Sequence, residues 1–399
     1  MQPLHGIRVL SVESYGAGPY GTMHLADLGA EVVKIEAPAR GNTAPGDSAR
    51  HAGPFFLGPN DSQFFQSFNR NKRSVVLDLH HPDGYAAFLK LAAKADAVLN
   101  NLRGDQPGKL RLTYADMKAV NPRLVCAHLS GYGRTGPRAG WPAYDYLAQS
   151  EAGYLHLTGE PDGPPTRMGL SIIDFMSGVT MAFALTAALL GAFRSGQGCD
   201  VDVTLYDVAM HQLTYPATWY MNEGHAAERR PRSGHPAIVP CEMFPTADGS
   251  LFIMCMTPKF WTELCEAISR PELAADPRFS GFPQRLANRE ALVDILDAVF
   301  RRATTGEWMQ RLGGRVPAAP ILTLPQALEN PYFEATGGVL KVAHPRRPDL
   351  KMVACPIRID GERPGAFAGP ALGADTERFL CEAGLDATEI AALRSAKAI

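Results

Sequence analysis

One carboxylate and one glycine cluster carry the chemistry legible in this chain. The segment Gly169-Leu-Ser-Ile-Ile-Asp174-Phe-Met-Ser-Gly178 runs into the most apolar stretch of the sequence. An aspartate before a helix is a good N-cap, accepting a backbone N–H near the positive end of the dipole. Flanked by Ile172, Ile173 and Phe175, it equally suits a nucleophilic carboxylate, which needs a fixed oxygen in a site that excludes water. The second feature is Gly16-Ala-Gly18-Pro-Tyr-Gly21, with Glu36 twenty residues past Gly16, the spacing of a dinucleotide fingerprint. Against that reading, Glu13-Ser14-Tyr15 separates the apolar strand from the first glycine, and Pro19 deletes an N–H from the turn that would face a pyrophosphate. The loop is then a structural turn, a nicotinamide or flavin site, or the lining for another nucleotide-bearing ligand. The histidines show no H-x-x-x-H spacing and the seven cysteines no C-x-x-C, so no metal is expected.

These residues need a scaffold, and the periodicity supplies one. Residues 7–12 read as a strand, the glycine turn opens a helix to about 28, and 31–36 is again a strand. Strands at 73–79, 97–102 and 124–129 alternate with helices at 84–95 and 114–120, the pattern of an α/β domain with a parallel sheet. Helices are expected at 177–193 and 205–223. Pro, Gly and charge then cluster in 226–248. We divide the chain into a large domain, 1–225, a smaller α+β domain, 226–325, and a linker with a C-terminal segment, 326–399. That segment holds strand-like pieces at 339–342 and 352–359 and helices at 374–384 and 387–396.

Thirty-nine basic against 41 acidic residues, with no long run of either sign, exclude a nucleic-acid surface. The longest apolar run, 181–193, is short of the ~20 residues of a spanning helix, so a buried core helix and no membrane partner are expected. The N-terminal residues lack a signal-peptide pattern, and the unpaired cysteine spacing fits a reduced, cytoplasmic protein.

Taken in order, several blocks resemble the class III CoA-transferases, the group of the formyl-CoA and carnitine CoA-transferases, with the α-methylacyl-CoA racemases as a side branch. They are LHGIRVLSVESYGAGPYGTMHLADLGAEVVKIE, Asn71-Lys72-Arg73-Ser74 with LDLHHPDG, and Ala95-Asp96 leading to Asn100-Asn101-Leu102-Arg103. Leu129-Ser130-Gly131-Tyr132-Gly133, Tyr144-Asp145-Tyr146, the Asp174 segment and Ser195-Gly196-Gln197-Gly198 follow. The resemblance implies a Rossmann-like large domain, a small domain, and an interlocked-ring homodimer. It implies that Asp174 attacks an acyl-CoA thioester and carries first an acyl group and then CoA, for which an ionised, low-pKa carboxylate is expected. Coenzyme A enters as acyl-CoA substrate, with a small carboxylic acid as second substrate and no tightly bound cofactor. CoA contacts are implied for Tyr15, Gly16, Ala17, Leu77, Leu79, Asn101, Leu102, Arg103, Lys109, Ser130, Gly131 and Tyr132. Lys109 stands where Arg is common, and Ala37 where some members hold a CoA-contacting Arg, which leaves that role to Arg40. The loop that closes over the site in the family matches Ser233-Gly234-His235-Pro236, with one glycine instead of several. Arg134, Arg167, Arg229, Arg230 and His235 are candidates for a second substrate carboxylate. Where the racemases need a histidine this chain has Tyr144, a poor base at neutral pH, which favours transfer over racemisation.

Overall fold

The computed structural model describes all 399 residues and resolves two compact units. The larger comprises residues 1–152, 169–214 and 334–399; the smaller comprises 153–168 and 215–333. The chain thus passes from the large unit to the small one after residue 214 instead of 225 and returns after 333 instead of 325, and 153–168 goes with the small unit. The predicted helix 205–223 is two helices, Leu205–His211 and Thr214–Glu223, broken where Thr214 takes a left-handed backbone at φ 43°.

The large unit is built on six strands: β1 (Arg8–Val12), β2 (Glu31–Glu36), β3 (Lys72–Val76), β4 (Ala97–Asn100), β5 (Val125–Ser130) and β6 (Asp200–Thr204). Every pairing is parallel, and the order is β3-β2-β1-β4-β5-β6. β4 and β5 are buried along their whole length, as expected where helices cover both faces of a parallel sheet. The strand order reverses between β1 and β4. In an open α/β sheet the crevice beyond the carboxyl ends at such a point accepts ligands.

Four helices matter to that crevice: α1 (Ala17–Asp27), α2 (Pro82–Ala92), α3 (Asp145–Glu151) and α4 (Ile172–Ser195). α4 begins five residues before the expected start at 177, because the polar Asp174 fits a first turn whose N–H groups are satisfied from outside. At 24 residues it is, by length and composition alone, long enough to cross a bilayer, which the 13-residue run had argued against. It packs instead on α1 through a glycine crossing. A β-carbon on Gly21 would stand 2.5 Å from Gly178 O, and one on Gly178 would stand 2.5 Å from Ala17 O. Only glycine at both positions lets the backbones approach this closely.

The chain's last segment completes the large unit. Phe379, Leu380, Ile390 and Leu393 join Val75, Leu77, Phe88 on α2, and Val98 in one core. The strand predicted at 352–359 lies earlier, as the hairpin Val339–His344/Arg347–Val353. The small unit has its own three-stranded antiparallel sheet and a separate core that includes Phe244, Trp261, Phe300 and Trp308.

Candidate active site

The carboxyl ends of β1, β4 and β5 open onto a cleft of about 740 Å³ in the large unit. Its wall includes Tyr15, Gly16 and Ala17 after β1, Asn101, Leu102 and Arg103 after β4, and Ser130 and Gly131 at the end of β5. Trp141, Tyr144, Asp145, Tyr146 and Asp174 complete the side facing them. Nine of the thirteen residues nominated as carrier or CoA contacts therefore meet in one place, with Tyr144 beside them.

Asp174 sits in the first turn of α4 and is half-buried. It is not the cap. Asp145 Oδ2 accepts from Ile173 N at 2.7 Å and from Asp174 N at 3.0 Å, so an acid on α3 caps α4. Gln149 in turn donates to Asp145 Oδ1 at 2.6 Å. With the helix N–H groups taken, the Asp174 carboxyl accepts no hydrogen bond from the protein. Burial, reinforced by the negative charge of Asp145, pushes its pKa up to about 7, where the sequence had suggested a low one. The carboxyl leans against Gly16: a β-carbon there would stand 2.4 Å from Asp174 Oδ2.

The loop that holds Gly16 is fastened from beneath. Tyr15 adopts a left-handed φ of 70°. Its N–H donates to Asp47 Oδ1 at 2.8 Å, and Ser14 exchanges two 2.8 Å hydrogen bonds with the Asn101 amide. Burial alone would raise Asp47, but Lys34, 2.8 Å away, and the N–H groups of Ala49 and Tyr15 outweigh it and hold the acid at about 2. Behind these lie Glu13 and Lys72, paired at 2.9 Å and fully buried. Burial pulls the Lys72 ammonium down to about 8 against the attraction of Glu13.

Glu36 cannot bind a ribose. It makes a two-pronged 2.7 Å pair with Arg50, accepts from Ser74 Oγ at 2.6 Å, and is buried. The glycine pattern therefore serves packing. Gly16 admits the Asp174 carboxyl, Gly18 admits Asn101, whose Cγ would lie 2.8 Å from a β-carbon, and Gly21 admits α4.

Other nominated residues fall elsewhere. Leu77 and Leu79 are buried core side chains that do not reach the cleft. Arg103 lines it but shares Asp105 with Lys109, which lies outside the lining. Tyr132 donates to Glu151 at 2.9 Å and lines a second, smaller cavity. Arg40 is bound to Asp78. Arg134 is paired with Asp202, and Arg167 donates to Met168 O. Gly234 and His235 belong to the small unit, where Arg289 donates to His235 O and burial lowers the His235 pKa. In the same unit Arg229 is spent on the carbonyls of His156, Glu160, Gly163 and Pro164, whereas Arg230 is exposed without an ion pair. Asp47 and Lys34 are contributions that the sequence did not single out, and the packing role of Gly178 was likewise not read from it.

A six-stranded parallel sheet with a carboxylate-bearing cleft at its switch point defines the α/β class, and comparison with known proteins gives the family. The profile of CoA-transferase family III matches residues 4–376. The acetyl-CoA:oxalate CoA-transferase of Acetobacter aceti is 34% identical over 91% of this chain and 92% of its own length. The succinyl-CoA:mesaconate CoA-transferase of Haloarcula marismortui is 34% identical over 97% and 98%. The crystal structure of a CAIB/BAIF family protein from Brucella suis superposes with a TM-score of 0.81 at 30% identity, covering 96% of this chain and 99% of that one. The chain belongs to CoA-transferase family III, whose substrates are CoA thioesters.

Proposed function

We propose that this enzyme moves CoA from an acyl-CoA to a free carboxylate, with Asp174 as the covalent carrier. The observation that carries the reading is the Asp174 carboxyl itself, facing the cleft and Gly16 with both oxygens unbonded to protein. An Asp174 oxygen attacks the thioester carbonyl; the C–S bond breaks, giving a mixed anhydride and CoA thiolate. The thiolate attacks Asp174 Cγ, releasing the donor acid as its carboxylate and leaving an aspartyl-CoA thioester. The acceptor carboxylate attacks that thioester, forming a second anhydride and again freeing the thiolate. The thiolate then takes the acceptor's acyl group and restores the Asp174 carboxylate. No net proton moves, so no general base is required, and each difficult exchange is split into easier ones. A pKa near 7 leaves about half the carriers ionised at neutral pH and makes the ionised form a stronger nucleophile than an ordinary carboxylate. The oxyanions of these steps form beside Gly16 and Gly131, whose small size leaves backbone N–H groups within approach.

Tyr144 lines the cleft where a racemase would need an imidazole, which supports transfer. The relatives named for oxalate and mesaconate suggest a small dicarboxylic acid as one substrate. Arg103, the cation that lines the cleft, would meet its second carboxylate by turning away from Asp105. The sheet order β3-β2-β1-β4-β5-β6 supports the Rossmann-like reading of the large unit. A homodimer is supported by Val179, Phe183, Leu190 and Phe193, an exposed apolar stripe at helical spacing on α4. Seven free thiols suit a reducing cytoplasm.

The test is incubation with succinyl-CoA followed by hydroxylamine and peptide mass analysis. A hydroxamate on Asp174, absent without acyl-CoA, is expected. Asp174→Ala is expected to abolish transfer while CoA affinity stays within about threefold. Labelling confined to another residue overturns the assignment.

A further inference from the structure

Asp145 is nearly fully buried, its residue 4% exposed, and it spends one carboxylate oxygen on the two N–H groups at the start of α4 and the other on Gln149. This is an unusual way to begin a helix, since Ser171, at the N-cap position, makes no side-chain capping bond. The effect on the neighbouring acid is specific. An aspartate in a first turn ordinarily turns back onto the free N–H groups of its own helix. Here an acid from another helix already fills them, and Gln149 and the backbone of Leu170, to which Gln149 also donates at 3.2 Å, lock that acid in register.

We propose that Asp145 is a positioning residue for the transfer reaction: by occupying the helix N–H groups it keeps the Asp174 oxygens turned out to the cleft. The proposal rests on Asp174 being the carrier. Its second consequence is electrostatic, because a buried negative charge beside Asp174 favours the protonated carrier. The other titratable or charged side chains that line the same cleft are Tyr15, Tyr144, Tyr146 and Arg103, and none hydrogen-bonds the Asp174 carboxyl. Asp145 is the charged group that bears on it.

The experiment compares Asp145→Ala and Asp145→Asn in the full-length enzyme, measuring kcat, KM for succinyl-CoA and the pH profile of kcat/KM. Removing the cap lets the carrier turn inward, and a misplacement of about 1 Å costs on the order of 10²-fold in rate. Asp145→Ala is therefore expected to lose about 10²-fold in kcat with KM for the acyl-CoA within about threefold of wild type. Asp145→Asn keeps an acceptor for the two N–H groups while Gln149 turns its amide, so it is expected to recover most of kcat. Its acid limb should lie at lower pH, since the charge is gone. An Ala variant with wild-type kcat overturns the proposal, as does a loss of kcat that Asn does not recover. Should the Ala variant fail to fold, the Asn variant decides alone, and an unmoved acid limb counts against the proposal. Failure of the carrier assignment is distinguishable: it would appear as transfer by Asp174→Ala or as a hydroxamate elsewhere, whatever the Asp145 variants do.

Discussion

Replacing Asp174 with Asn should stabilise the protein, and more so as the pH rises. The carboxyl titrates near 3.9 in the unfolded chain and at about 7 in the folded one. Below pH 4 both states hold the proton and the group has no effect on stability. Between about 4 and 7 the unfolded chain has released a proton that the native state still binds. Stability therefore falls through that window and stays level above it. A shift of about three units corresponds to a ceiling of about 4 kcal/mol. Because the group is half-buried and faces an open cleft, solvent screening reduces this to about 1–2 kcal/mol. Asn has the same shape and no charge. Urea unfolding followed at pH 4.5 and pH 8 should give a variant-minus-wild-type difference larger at pH 8 by about that amount, with Tm rising by a few degrees at the higher pH. An equal difference at the two pH values, or a loss at pH 8, would refute the claim that the carrier is held in an unfavourable ionised state.

Other outcomes follow from the same geometry. The kcat/KM of the wild-type enzyme should rise as pH climbs through about 7, as the carrier ionises, in a stopped-assay profile; a flat profile from pH 5.5 to 8 would contradict this. Gly16→Ala should cut kcat by about 10²-fold with little change in melting temperature, because the added methyl displaces Asp174 Oδ2. Gly178→Ala should instead cost about 1–3 kcal/mol in chemical denaturation, since its new carbon meets backbone that cannot move aside. Glu36→Gln should destabilise by about 3 kcal/mol through the unpaired Arg50 and leave CoA affinity unchanged by calorimetry; a selective loss of CoA binding would restore the nucleotide reading of that acid.

The sheet was legible because strand alternation and helix periodicity are local, and β1, β2, β4 and β5 fall within a few residues of their expected places. The start of α4 was not. A helix whose first turn is capped by Asp145, 29 residues earlier, leaves no capping signal of its own. The same reason hid the carrier's pKa: nothing next to Asp174 in sequence tells that its helix N–H groups are already engaged. Spacing found Gly16, Gly18 and Gly21 but left a structural turn and a nucleotide site both open, since the partners that require them, Asp174, Asn101 and Gly178, are known only from the fold. Leu77 and Leu79 lie in a segment that follows β3, and only the core explains why their side chains turn away from the cleft. The arginines looked alike as sequence, and the structure separates Arg103, which lines the cleft while paired with Asp105, from Arg134 and Arg229, which do not line it.

The edge strand β3 has a consequence for synthesis on the ribosome. Its backbone is finished by Asp375 and Thr376, which bond Ser74 and Val76 across 301 and 300 residues of sequence. At about 5–20 residues per second, translation leaves that edge uncovered for some 15–60 s. A nascent chain must shield Ser74-Val75-Val76 from neighbouring polysomes throughout, and slowing elongation late in the message should raise the share of product lost to aggregation.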